Sequence, residues 1–97
     1  MTEYTDTERD LVFDWLRART LDNRDARKLP VYVATAIIRS WAVDQGRDFE
    51  AWPNNRAVRA LLDKAGYERR SASNHNGRSW AFFGLEVLPA DAPDITE

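Results

Sequence analysis

The side chains best suited to chemistry lie between positions 55 and 78. They are Arg56, Arg59, Lys64, Arg69, Arg70 and Arg78, interleaved with Asn55, Asn74, His75 and Asn76. Guanidinium groups fork onto phosphate or onto the O6/N7 edge of guanine, and short amides bond base edges, so this set suits recognition of a nucleic acid. Arg56 and Arg59 are three apart and project together on a helix, away from Val58 and Leu61. Asn55 falls at that helix's start, where recognition helices touch base edges and where the positive end of the helix dipole favours phosphate. Arg69, Arg70 and Arg78 flank a turn whose tip holds Asn74, His75 and Asn76, the place where a β-ribbon would meet a DNA backbone or minor groove. Ordinary solvated surface charge is the competing account. Placement on these two elements, rather than charge as such, favours DNA.

Bond-making chemistry finds no equivalent set. There are no cysteines, which excludes disulfides, thiolate metal sites and a thiol nucleophile, and the single histidine excludes a histidine metal cluster. No glycine-rich phosphate loop, GxSxG or HExxH occurs. Asp10 and Asp14, four apart on a helix, resemble paired catalytic carboxylates but read better as a solvated acidic face beside Arg9, Arg17 and Arg19. The expected strands offer only Glu68 and Glu86, too little for a metal-dependent nuclease. The expectation is a non-enzyme with no catalytic residue, metal, cofactor or small-molecule substrate.

Ninety-seven residues, 43% hydrophobic and 31% charged, suit one globular domain with one core. No apolar run is long enough for a bilayer span and the start Met1-Thr2-Glu3-Tyr4 is not a secretory leader, so no membrane association and a cytoplasmic location are expected. The net charge of −2 is unevenly spread. Residues 51–80 carry six cations against Asp63 and Glu68, a net +4, whereas residues 1–50 carry −2 and residues 81–97 carry −4. Phosphate neutralisation is local, so the +4 segment matters more than the total.

Thr5 and Glu8 have capping-box spacing, and Leu11, Val12, Trp15 and Leu16 give a first helix ending near Thr20, with Phe13 to one side. Leu21 to Lys28 reads as a charged, solvated linker. Leu29-Pro30-Val31 is either a short edge strand or a proline-led helix start. Val33, Ala34, Ile37, Ile38, Trp41 and Ala42 set a second helix closed by Gly46, with Tyr32 and Trp41 assigned to core packing. Phe49 and Trp52 should dock on the core. Asn54-Asn55 caps a third helix, 55–65, whose Val58, Leu61, Leu62 and Ala65 face inward while Arg56, Arg59, Ala60 and Asp63 face outward; Gly66 ends it. Tyr67 to Ala72 and Ser79 to Leu88 read as two strands around the polar turn 73–78. The second strand is apolar on both faces, which calls either for the first helix on the far face or for a partner there.

The layout is α+β: a winged helix-turn-helix of three helices with a C-terminal β-hairpin wing over 6–88, a flexible N-terminus at 1–5 and a disordered acidic tail at 89–97. From about Val31 to Val87 the chain resembles the winged-helix domain at the C-terminal end of phage and plasmid replicative primase-helicases. The likeness rests on Arg39-Ser40-Trp41, Gln45-Gly46, the helix from Asn55 to Gly66-Tyr67, Glu68-Arg69-Arg70, Asn76-Gly77-Arg78 and Trp80-Ala81-Phe82-Phe83-Gly84-Leu85. It implies binding of double-stranded DNA in replication or transcription control, through Arg56, Arg59, Arg69, Arg70 and Arg78. The primase and ATPase parts of those proteins have no counterpart in this sequence. The alternative function on the same fold is a protein-interaction module or homodimer, favoured by the acidic balance and the doubly apolar last strand.

Overall fold

The computed structural model describes residues 3–47, 52–74, 77–89 and 91–95, with backbone alone for 72–74 and 77–79. Helix α1 (Asp6–Arg19) opens on the expected capping box: Thr5 Oγ1 accepts from Glu8 N at 3.1 Å and Glu8 Oε1 accepts from Thr5 N at 2.8 Å. Its buried stripe is Leu11, Val12 and Trp15. Strand β1 (Thr20–Asp22) follows at once, then a turn in which Asn23 Oδ1 accepts from Asp25 N, then β2 (Leu29–Pro30). Pro30 is both the last strand residue and the N-cap of α2 (Val31–Asp44), so the two readings of that dipeptide are both realised. Proline is tolerated there because β2 lies at a sheet edge and a helix's first N–H groups lack intrahelical partners anyway. Helix α2 ends at Gly46, whose φ of 70° only glycine adopts freely.

Helix α3 (Asn55–Lys64) starts where Asn54 Oδ1 accepts from Ala57 N at 2.9 Å. It buries Ala57, Val58, Leu61 and Leu62 against α1 and α2. Strands β3 (Glu68–Asn74) and β4 (Gly77–Phe83) then form an antiparallel hairpin, and β5 (Leu85–Val87) ends the regular structure. Three helices and antiparallel strands thus make a small α+β fold with two sheets, β2-β4-β3 and β1-β5. The core between them is Trp15, Ile38, Leu61, Leu62, Phe82 and Leu85 with their smaller neighbours. Each such side chain contributes roughly 1.5–3 kcal/mol through burial. Trp52 packs against this core as expected; Phe49 lies outside the described residues.

Several expectations need correction. The polar turn is shorter than 73–78, because the ladder continues through Ser73↔Arg78 to Asn74↔Gly77. Ser79 to Leu88 is not one strand. Gly84, at φ 82°, breaks it, and residues 85–87 cross to the other sheet to pair with β1. Past this break the residues no longer alternate as one ribbon: Leu85 joins the same core cluster as Phe82, and Val87 packs against it. Helix α1 packs chiefly on α2, α3 and β1. The segment 21–28 is not a free linker, since its start is β1 and Asn23 both donates its backbone N–H to Gly84 O at 3.0 Å and bonds Glu86 through Nδ2 at 2.7 Å.

Nor does the described part of the tail hang free. Arg19, only 7% exposed, donates to the carbonyls of Pro89 and Ala92 and pairs with Asp94 at 3.1 Å, while Ile95 N donates to Ala18 O at 2.8 Å. Asp14 is held by Arg17 and, at 2.8 Å, by Arg47, and Asp10 by Arg9, so the acidic pair on α1 is spent on ion pairs. Among the described residues no helix is long and apolar enough to cross a membrane.

Candidate nucleic-acid interface

The first turn of α2, the first two turns of α3 and the middle of β4 border one groove of about 370 Å³, lined by Val31, Tyr32, Asn55, Arg56, Arg59 and Trp80. The local sequence explains how these residues meet. Asn54 starts α3 so that Ala57, Val58 and Leu61 turn inward, which leaves Asn55 and Arg56 exposed one position earlier. Pro30 starts α2 beside the same hairpin, with no side-chain cap on its first turn, which brings Val31 and Tyr32 to the groove. In β4, Phe82 is buried on the core-facing side; Trp80, two residues outboard on that side, passes the core's edge and is 42% exposed. Tyr32, beside the buried stripe of α2, is 53% exposed.

Arg56 is exposed and, among the described residues, has no carboxylate partner. Arg59 is half-buried, with Nη2 3.7 Å from Glu3 Oε1. Ala60 is likewise half-buried, so the outward face of α3 is narrower than its periodicity implied. The groove's wall on the hairpin side is braced. The Arg69 guanidinium stands over the Trp80 ring, 4.2 Å from its centroid, and its Nε is 3.1 Å from Asp63 Oδ1. Ser71↔Trp80 and Arg69↔Phe82 are register partners, so Arg69 reaches Trp80 diagonally along one face of the hairpin.

The sequence-derived residues do not form one surface. Asn55, Arg56 and Arg59 converge on the groove, and Arg69 adjoins it through Trp80. Lys64 sits in the last turn of α3, where its ammonium bonds Tyr4 Oη at 3.2 Å and lies 5.8 Å from that ring. Arg70 is on the opposite face of the hairpin, in a bidentate pair with Glu68 and 4.8 Å from the Phe83 ring. Asn74 and Arg78 are paired backbone positions near the hairpin's end, with side chains outside the description, and His75 lies outside the described residues.

Tyr32 and Trp80 are the groove residues that sequence reasoning did not select. The core packing expected of Tyr32 is not found, since its side chain is exposed, whereas Trp41 does pack against the core. The available signal was that Tyr32 falls one position off the stripe Val31, Ala34, Ile38.

The charged side chains lining the groove are the guanidinium groups of Arg56 and Arg59. Among the described residues, the one strongly perturbed group lies elsewhere. Tyr67, after α3, is pushed up from 10.0 to about 12 by burial and by the hydrogen bond that its hydroxyl donates to Asp22 Oδ1 at 2.9 Å. Among the described residues no three His, Asp or Glu side chains are grouped so as to hold a metal ion. Comparison with protein-family models, with curated proteins and with solved structures returns no match for this chain.

Proposed function

We propose that this chain is a non-enzymatic winged-helix protein that binds double-stranded DNA, with the N-terminal half of α3 in the major groove and the β3–β4 hairpin as the wing. The order helix, two short strands, helix, helix, hairpin and a last short strand is compatible with this reading, and the pairing of β2 onto β4 beside the hairpin supports it. The observation that carries it is Arg56: an exposed guanidinium without a carboxylate partner among the described residues, on the first turn of the helix that precedes the hairpin. Asn55 beside it offers an amide to a base edge, and Arg59 adds a second cation held only by a loose surface pair. Such an interface serves control of replication or transcription. An anisotropy titration of labelled duplex with the wild type and with the Arg56→Ala/Arg59→Ala double variant tests it. Loss of binding in the variant is expected, and unchanged binding overturns the assignment.

The second reading, a protein-interaction module on the same fold, draws on the exposure of Tyr32 and Trp80 and on the internal pairing of Arg69 and Arg70. A partner-bound or dimeric state that persists without DNA, together with no affinity for any duplex, would favour it.

A further inference from the structure

Two exposed aromatic side chains flank the arginines of the groove, and a paired duplex gives their faces little to stack on. In B-form DNA the faces of the bases are stacked on one another and only their edges reach a groove. A tyrosine and a tryptophan standing beside a recognition helix would then meet chiefly sugar and phosphate, against which a ring face gains less than it does against a base. An unpaired base presents its face, and base–aromatic stacking raises affinity about five- to 150-fold per base.

The geometry points to an unpaired base as the groove's occupant, seated against Tyr32 and Trp80 with its phosphate toward Arg56 and Arg59. This rests on the nucleic-acid reading above and narrows it to DNA with a single-stranded segment next to a duplex. Three observations carry it. Tyr32 and Trp80 border the same groove and are among the most exposed large hydrophobic side chains described. Trp80 is preset: Arg69 covers its ring from 4.2 Å and is itself anchored by Asp63, so little side-chain freedom remains to be lost on stacking. The charge is complementary to a phosphate, with Arg56 and Arg59 beside the two helix starts.

The test is fluorescence anisotropy at fixed salt with three labelled DNAs: a blunt duplex, the same duplex with a single-stranded extension, and the single strand alone. The proteins are the wild type, Tyr32→Ala, Trp80→Phe, Trp80→Ala, the Tyr32→Ala/Trp80→Ala double variant and Arg56→Ala, each checked for folding by circular dichroism. The wild type should prefer the extended duplex to the blunt one by at least about tenfold. Tyr32→Ala and Trp80→Ala should each erode that preference by about fivefold or more. Trp80→Phe, which keeps a ring, should retain most of the preference but lose the DNA-induced change in tryptophan emission.

Equal affinity for blunt and extended duplex, or a preference that survives the double variant, overturns the stacking site. In those cases the broader reading still stands if Arg56→Ala weakens binding. Tightest binding to the single strand alone supports the stacking site but removes the major-groove placement of α3. No binding of any DNA removes both.

Discussion

The Glu3 carboxylate lies 3.7 Å from the Arg59 guanidinium, which places the start of the chain along the outward side of α3. Tyr4 continues the contact one turn further on, beneath the Lys64 ammonium. The segment therefore shades two of the cations on the helix proposed to meet DNA. An exposed ion pair at this distance is worth about 0–1 kcal/mol, so a phosphate can displace it at little cost. Glu3→Gln should strengthen duplex binding up to about fivefold at low salt, with the gain fading as salt screens the pair. Anisotropy titrations of both proteins at two salt concentrations measure this, and weaker binding by Glu3→Gln would mean that Glu3 is not a competitor.

The Tyr67 hydroxyl ties the residue after α3 to Asp22 in β1, and its raised pKa makes this tie sensitive to alkali. The folded state holds the phenol proton more tightly than the unfolded chain does. The contribution is therefore complete below pH 10 and is lost as the pH rises from about 10 through about 12. Urea midpoints for the wild type should fall across that window more steeply than those for Tyr67→Phe, which starts lower but lacks the titrating group. Parallel midpoint curves for the two proteins would count against this linkage.

Arg19 predicts where the chain opens first. Its guanidinium satisfies the carbonyls of Pro89 and Ala92 and pairs with Asp94 while almost fully buried, and among the described residues no other side chain makes as many bonds to this tail. Arg19→Met keeps the aliphatic stem but removes all these donors. We expect a loss of about 1–3 kcal/mol if the buried acceptors stay in place, and less if the tail peels off into water. Limited proteolysis separates the two outcomes, because a released tail is cut near residues 89–95 before the helices are.

What could be read in advance, and what could not, follows from distance along the chain. Helices α2 and α3 announce themselves locally: an i, i+3, i+4 stripe, Asn54 before the first turn, and glycine at 46 and 66 where φ turns positive. The hairpin likewise needs only neighbours. Strand β1 has no such signature, since Thr20-Leu21-Asp22 becomes a strand only because residues 85–87 come alongside it. Arg19 looked like a surface cation because its acceptors are some seventy positions away. Arginine counts were legible, but their neutralisation was not. Asp63 reaches Arg69 from α3 to β3, and Glu68 reaches Arg70 two residues along one strand face, so both carboxylates of the +4 segment fall on the hairpin arginines and neither on Arg56.

That difference separates Arg56 from Arg70. Both are exposed arginines on the elements expected to carry DNA. Arg70 is spoken for by a bidentate Glu68 pair and by the Phe83 ring, on the hairpin face turned away from the groove. Arg56 has neither restraint and stands next to Asn55 at the helix start. Arg56→Ala should therefore cost about 1–3 kcal/mol of binding if it reads a base, with a smaller cost on duplexes changed at that base. If it meets phosphate instead, the loss should be uniform across sequences and the salt dependence should drop by about one unit of slope. Arg70→Ala should leave affinity within about twofold. Titrating both variants against two unrelated duplexes at three salt concentrations distinguishes these outcomes. A larger loss from Arg70 than from Arg56 would move the interface to the other side of the hairpin.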